Sequence, residues 1–334
     1  MKDYLFVSYN IDAGNIAMSK NFKKMFKDKF DFYDFVPHKK KINFLNKLIS
    51  AYFLRKTIKK YNKHGKSIIF NSLGPATFAY GTYNNSSSIL VSDWTRTWQK
   101  YYKTGYLQQD IIFYIQRYIL QKFKRICSRT LEFKKHLIKN YNIDEKKIRI
   151  IDGPVIFEDF SHKPNNYIAK KIKVLFIGND FLRKGGGIIL QNQKKISELF
   201  DLTIVTKFKF KKKYNFKVIK NVKFKSKSHK NLFKKNDIFF FPTKFDPYGM
   251  VISEAASSGM CIITTKDALS AKYFIKNKYS GIIEKDTKNA FRKLIRMSNE
   301  RKKIVMFKKN IYLQTKKNYS FNVIKKKISN KLLD

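Results

Sequence analysis

The stretch "KFDPYGMVISEAASSGM", residues 244–260, follows the apolar run "DIFFFP" at 237–242, and its reading decides the fold. Four successive apolar residues at 238–241, closed by Pro242, read as a strand buried on both faces, the kind that lies inside a parallel sheet. Asp246 then stands at the strand's C-terminal mouth. Gly249 permits a tight turn with exposed amides, and the apolar residues after it begin a helix that carries Glu254 in its early turns. Ligands of such sheets bind beyond the carboxyl ends of the strands, so both acids lie where chemistry is expected. Two readings stay open for each. Asp246 faces a polyol or caps the helix. Glu254 accepts hydroxyls, as charged acceptors do strongly, or meets the helix dipole.

Working outward, short apolar runs alternate with helical stretches along the whole chain. "YLFVSYNI", "FDFYDFV", "SIIF", "SILVS" and "RIC" read as strands in the first half, with helices over 42–62, over 106–122 and in "RTLEFKKHLIKNYNI". In the second half "IKVLFIG", "DLTIV", "NVKFK", "DIFFF", "CIITT" and "SGIIE" read as strands, with helices over 186–198, 251–258 and 287–310. Alternating strands and helices predict α/β architecture with parallel sheets covered on both faces. The segment 152–171 carries Pro, Gly and Asn with weak periodicity and reads as a linker. The expectation is two doubly wound, Rossmann-like domains facing a cleft, one over 1–160 and one over 161–314, with a C-terminal helix over 315–334 crossing back to the first.

A second segment joins the first. In "VLFIGNDFLRKGGGIIL", 174–190, a buried strand ends at Gly178, a short loop presents Arg183 and Lys184, and three glycines open a helix. Helix-start amides favour an anion. Beside them, an Arg that can bind two oxygens and a Lys acting as a point charge suit a diphosphate. The alternative is a glycine-rich loop with solvated cations. Neither GxxxxGK[ST] nor GxGxxG is present.

Composition limits the function classes. The formal net charge is +48, which fits nucleic-acid binding, attraction to an anionic membrane, or AT-rich codon usage, since Lys far outnumbers Arg and Asn, Ile, Phe and Tyr abound. The clusters "KFKFKKKYNFK" and "KKKISNKLLD" read as solvated faces or binding arms. No RRM, KH, zinc-finger or helix-turn-helix signature accompanies the charge. Cys127 and Cys261 are isolated and read as small buried hydrophobes of a reducing compartment. The five histidines show no metal-ligand spacing, so no metal site is expected, and His136 in its basic helix reads as solvated. No stretch reaches the roughly 20 apolar residues of a membrane span. "YLFVSYNI" lacks the form of a cleaved signal. A cytoplasmic protein is expected, with peripheral contact to the inner membrane face left open.

Taken together, "RKGGG" after a strand and, some sixty residues on, Asp246-Pro247-Tyr248-Gly249, Glu254-Ala255, Gly259 and Ile262-Ile263 resemble the retaining glycosyltransferases of family 4, which have the GT-B fold. The likeness is specific over 172–284. It extends more weakly to "SDWTRTWQKYY", to "ICSRTLEFKKHLIKNYNIDEKKIRIIDGP" and to the loop after the first strand. Departures are Asp246 where Glu is commoner, Tyr248 for Phe, Met260-Cys261 where Leu-Pro is frequent, and Asn179 where an Arg often stands.

The resemblance implies transfer of a sugar, with retention, from a nucleotide-diphosphate sugar to a glycan, lipid-linked or other hydroxyl acceptor, as in surface polysaccharide or glycoconjugate synthesis. It implies neither metal nor cofactor. Arg183, Lys184 and Asp246 would act at the reacting centre. Gly14, Gly178, Arg183, Lys184, Asp246, Tyr248, Gly249, Met250, Val251 and Glu254 would bind the donor, with Glu254 on the ribose. Gly14 follows Ala13 where related enzymes use a glycine pair. Asp93 would orient the acceptor or simply cap the next helix. Trp94, Trp98, Tyr101 and Tyr102 would stack on a sugar or lipid, or pack in the core. The competing classes are a basic, non-enzymatic nucleic-acid-binding protein and a GT-B nucleotide-sugar epimerase.

Overall fold

A computed structural model describes residues 1–9, 13–36, 44–211 and 214–333. Part of the loop after the first strand (10–12), the start of the 42–62 helix and positions 212–213 of the lysine cluster lie outside the described residues. The chain forms two compact units, one of Met1–Pro154 with the residues from Lys325 onward, the other of Val155–Ile324.

The first unit is built on β1 (Tyr4–Tyr9), α1 (Ala13–Phe26), β2 (Phe30–Phe35), α2 (Phe44–Lys63), β3 (Ser67–Phe70), α3 (Leu73–Phe78) and β4 (Ile89–Ser92). It continues through α4 (Trp98–Thr104), α5 (Ile111–Lys122), β5 (Arg125–Ser128), α6 (Leu131–Tyr141) and β6 (Ile148–Ile150). All six strands are parallel, in the order β2-β1-β3-β4-β5-β6. The order reverses after β2, so right-handed crossovers put α1 on one face and α2, α3, α5 and α6 on the other. In keeping with this, α3 packs against both α2 and α5. Local chemistry fixes the helix ends. Asp110 and Thr130 cap α5 and α6 by accepting from the amides of Phe113 and Phe133. Asn142 ends α6 in the left-handed region, which Asn tolerates.

The second unit runs β7 (Ile172–Ile177), α7 (Gly186–Gln191), α8 (Gln193–Leu199), β8 (Phe200–Val205), β9 (Lys217–Ile219), α9 (Lys227–Lys234) and β10 (Ile238–Phe241). Then come α10 (Met250–Ser257), β11 (Cys261–Thr265), α11 (Ala271–Phe274), β12 (Ile282–Glu284), α12 (Thr287–Met297), α13 (Arg301–Tyr319) and α14 (Phe321–Leu333), whose last turns belong to the first unit. Its sheet is again parallel and six-stranded, in the order β12-β11-β10-β7-β8-β9. All four residues of β10 are buried, as expected of an inner strand, and it pairs with β7 on one side and β11 on the other. Val174, Phe176, Ile204, Phe240 and Ile263 from four neighbouring strands form the centre of the core with Phe181, Ile189 and Phe307.

Several expectations are corrected. "NVKFK" is not a strand: Asn221 and Lys225 have φ of 56° and 61°, which breaks an extended run, and the edge strand is β9 just before it. The "IRI" strand β6 is one that the alternation did not mark. The helix expected over 186–198 divides at Asn192, and that over 287–310 at 298–300. His136 is buried rather than solvated. Its ring lies between the Thr95 hydroxyl at 3.3 Å and the Asn140 amide at 2.8 Å, and desolvation pushes its pKa down to about 3.

Gly185, ahead of α7, adopts φ +88°, and a Cβ there would lie 1.9 Å from the Pro242 carbonyl oxygen. Both the conformation and the space demand glycine. Gly185→Ala is expected to destabilise the protein by on the order of 3 kcal/mol, read as a lowered urea midpoint.

Candidate functional site

Parallel pairing of β7 with β10 (Val174 opposite Ile238) sets the C-terminal ends of the two strands side by side. The loop after β7 carries Arg183 and Lys184, and the loop after β10 carries Asp246 to Gly249. The two loops are zipped together. The Lys244 amide donates to the Arg183 carbonyl at 2.9 Å, and the Thr243 hydroxyl reaches the same oxygen at 3.3 Å. The Arg183 guanidinium donates to the Phe245 carbonyl at 2.7 Å and to Asp180 Oδ2 at 2.6 Å. Lys184 Nζ forms an ion pair with Asp246 Oδ2, and both side chains are largely buried. Desolvation pulls the Lys184 pKa down, and the Asp246 charge opposes that pull.

Two glycines make room for this pair. A Cβ on Gly178 would lie 2.9 Å from the Lys184 stem, and one on Gly249 would lie 2.9 Å from Asp246 Oδ2. The backbone of Asp246 is fixed from the next loop: its amide donates to the Asp267 carbonyl at 2.8 Å and its carbonyl accepts from Leu269 at 3.0 Å. Asp246 therefore does not cap α10. That place falls to Gly249, with no side-chain cap. Tyr248 and Met250 are buried beside the turn, and Val251 is half-buried at the helix start.

Glu254 is 7% exposed on α10, and desolvation raises its carboxyl pKa from the ordinary 4.5 to about 8, the nearby Lys225 charge acting in the other direction. Its neighbourhood includes residues that the sequence did not single out. His229 Nε2 lies 3.6 Å from Glu254 Oε2. The Lys225 amide donates to His229 Nδ1 at 3.2 Å, which leaves the ring proton on Nε2, facing the carboxyl. Burial holds the His229 pKa down at about 4, so the ring is neutral. Lys225 itself pairs with Asp159 at 2.5 Å. No sequence spacing marks this group, because Asp159, Lys225 and Glu254 come from three separate loops and helices.

Gly14 and Asp93 belong to the first unit. Gly14 lies in the first turn of α1. Asp93 follows β4 and does not cap α4, which begins after Thr97. Instead it accepts from Arg129 Nη1 at 3.2 Å, while Arg129 Nη2 donates to Asn71 Oδ1 at 2.9 Å. Asn71, Asp93 and Arg129 thus gather at the C-terminal ends of β3, β4 and β5. Of the aromatic group, Trp98 is buried against Phe133 and His136, whereas Trp94 is exposed.

Residues 157–314 match the family model for glycosyl transferases group 1, a stretch that includes every site residue from Gly178 to Glu254. No curated protein matches the sequence. Among solved structures, HepE of Anabaena, determined in complex with UDP and glucose, superposes with a TM-score of 0.76 at 12% identity over 99% of each chain. WaaG, described as a glycosyltransferase involved in lipopolysaccharide biosynthesis, gives 0.72 at 13% over 99% of this chain and 100% of its own. A glycosyltransferase from Rickettsia africae gives 0.68 at 16% over 98% of this chain and 97% of its own. At such identities the likeness is one of fold, and the fold is that of the GT-B glycosyltransferases.

The buried carboxyl has a measurable consequence. Its pKa is higher folded than unfolded, so the folded state holds the proton more tightly, and stability falls as pH rises from 4.5 to about 8. Glu254→Gln removes that dependence. The variant is expected to match the parent in Tm near pH 4.5 and to exceed it by several degrees above pH 8, a gain of at most a few kcal/mol. A variant no more stable than the parent above pH 8 would contradict the burial argument.

Proposed function

We propose that this chain is a retaining glycosyltransferase of family 4 that moves a sugar from a nucleotide-diphosphate sugar to a hydroxyl acceptor, without a metal or other cofactor. The observation that carries the reading is the convergence of Arg183, Lys184, Asp246 and the Gly249 turn around the ends of β7 and β10, with a buried Glu254 on the helix that follows that turn, inside the stretch that matches group 1 glycosyltransferases. Glu254 takes the ribose hydroxyls, and the start of α10 with Arg183 and Lys184 takes the diphosphate. Asp246 and the amides near Gly249 hold the transferred sugar, with Gly14, Gly178, Tyr248, Met250 and Val251 completing the donor site. Asp93 acts on the acceptor side, held by Arg129.

Chemically, the bond between the anomeric carbon and the leaving phosphate oxygen breaks while the acceptor oxygen forms a new bond on the same face. The acceptor proton passes to the leaving diphosphate, so no protein base is required. Negative charge grows on the diphosphate during this step, and the two cations, having turned from their own carboxylates to the phosphates on donor binding, stabilise it. A metal would supply the same charge, which is why its presence is unnecessary here. We place the acceptor, glycan or lipid-linked, in surface polysaccharide or glycoconjugate synthesis, in keeping with the fold likeness to WaaG, described as involved in lipopolysaccharide biosynthesis.

Thermal shift against a panel of nucleotide sugars identifies the donor, and transfer is then followed with that donor. Glu254→Ala is expected to weaken donor binding about ten- to a hundredfold, the loss of one or two charged hydrogen bonds. Unchanged binding and transfer would remove Glu254 from the site. Arg183→Ala/Lys184→Ala is expected to lower the transfer rate roughly a hundred- to a thousandfold and to abolish the preference for nucleoside diphosphate over monophosphate. A double variant that keeps that preference would overturn the clamp. Release of nucleoside diphosphate without any acceptor, coupled to epimerised sugar, would favour an epimerase instead.

A further inference from the structure

Lys225 occupies the left-handed region at φ 61°, although it is neither glycine nor asparagine. Such a conformation persists where the surroundings over-determine it, and three contacts do so here. Its amide donates to His229 Nδ1 at 3.2 Å, its ammonium pairs with Asp159 Oδ2 at 2.5 Å, and the same ammonium lies 5.4 Å from the centre of the Phe224 ring. The next residue, Ser226, caps α9 by accepting from the His229 amide at 3.2 Å. Lys225 is thus fixed just ahead of α9, one hydrogen bond from the ring that faces Glu254 at 3.6 Å.

The charge balance around Glu254 gives that placement a use. The turn Phe157–Asp159, β11, α11 and α13 all pack on α10. The turn brings Glu158, whose carboxylate accepts from the Phe321 amide at 3.1 Å, and Asp159, which holds Lys225. β11 brings no charge, its Cys261 thiol being kept neutral by burial. α11 brings Lys272, over the Tyr273 ring, and α13 brings the buried Lys308, paired with Asp237 at 3.1 Å. Glu254 is itself the one charged residue in α10, and His229 is neutral. Among the described residues, the cation whose charge bears on Glu254 is Lys225, and Asp159 draws it away.

We infer that Lys225 is the positioning residue that sets the charge of Glu254: it stays with Asp159 while the carboxyl is protonated, and turns toward the carboxylate when ribose hydroxyls bind and the proton leaves to water. This role rests on Glu254 being the ribose acceptor. An ionised carboxyl accepts two hydroxyls strongly, whereas a protonated one gives up part of that capacity to its own proton. The flexible four-carbon stem of a lysine allows the turn without moving the capped start of α9. Burial holds the Glu254 pKa at about 8, so the ligand-free carboxyl keeps its proton at neutral pH and nucleotide binding releases it.

Two measurements test this, the first without ligand. The Tm difference between each variant and its Glu254→Gln counterpart, followed against pH, isolates the folded-state pKa of Glu254. It grows from about pH 4.5 and levels off near that pKa, so a higher pKa gives a larger plateau reached at higher pH. Lys225→Met is expected to move the plateau up by about one pH unit, and Asp159→Asn to move it down by about as much. Lys225→Arg keeps the parental plateau. Asp159→Asn changes nothing further once Lys225 is Met, and that double variant removes the ion pair without leaving one buried charge alone. A lysine that only anchors its loop would lower Tm equally at every pH and leave the plateau in place, which would overturn the inference. The second measurement is calorimetric titration with UDP, GDP and ADP at pH 7 in two buffers of different ionisation enthalpy. Subtracting the Glu254→Gln value removes any proton lost by the phosphate. The nucleotide that binds is then expected to release about one proton from the parent and about half as many from Asp159→Asn. Equal release from both would contradict the role of Lys225. Failure of all three nucleotides to bind would instead remove the ribose reading, and the ligand-free plateaus would still decide whether Lys225 sets the charge of Glu254.

Discussion

The ion pair between Lys184 and Asp246 is the interaction on which the rest of the site depends. Both groups have been taken largely out of water, and burial alone would favour the neutral lysine. The pair persists because each partner offsets the other's desolvation and because the backbone around it is over-determined. Gly178 and Gly249 leave the space, the Asp246 backbone is pinned by Asp267 and Leu269, and Arg183 joins the two loops through the Phe245 carbonyl. The parallel register of β7 and β10 brings together two segments some sixty residues apart. A strand slip of one residue would turn every side chain at those ends to the other face and dissolve the arrangement.

Glu254 illustrates a second constraint. A carboxyl held at 7% exposure, with a neutral histidine beside it and a lysine committed to another acid, is a group whose ionised form the fold does not fully support. Such a cost is common where a ligand completes the environment. Two hydroxyls of a bound ribose would supply the donors that His229, at 3.6 Å, does not. Lys184 and Asp246 thus satisfy each other, whereas Glu254 has only a neutral histidine at 3.6 Å. On the proposed function, donor binding would exchange partners at Lys184 and Asp246 and add partners at Glu254.

The opening stretch was legible because its signals reinforce one another. A run of four apolar residues, a proline stop and a glycine turn leave few alternatives to strand–turn–helix, and the observed helix begins at Met250, within a residue of expectation. The glycines of "RKGGG" also read correctly, though the reason Gly185 must be glycine, the approach of the Pro242 carbonyl, is a tertiary fact. What stayed hidden was non-local. Asp159, Lys225 and His229 meet Glu254's surroundings only through the fold. "NVKFK" alternates like a strand, yet positive φ at Asn221 and Lys225 turns it into a loop. In α5 the apolar residues outnumber what one stripe can use, so periodicity marks the helix without saying which side faces water. His136 sat among lysines in sequence and among aromatic rings in space.

The most direct measurement is calorimetric titration of Asp246→Asn with the nucleoside diphosphate and with the corresponding nucleotide sugar. If Asp246 holds Lys184 in the free site and the sugar in the loaded one, the substitution releases the lysine for phosphate while removing a sugar contact. Affinity for the nucleoside diphosphate should then hold or rise, and the additional affinity that the sugar confers should disappear. Equal loss of both affinities, or no change in either, would contradict the account.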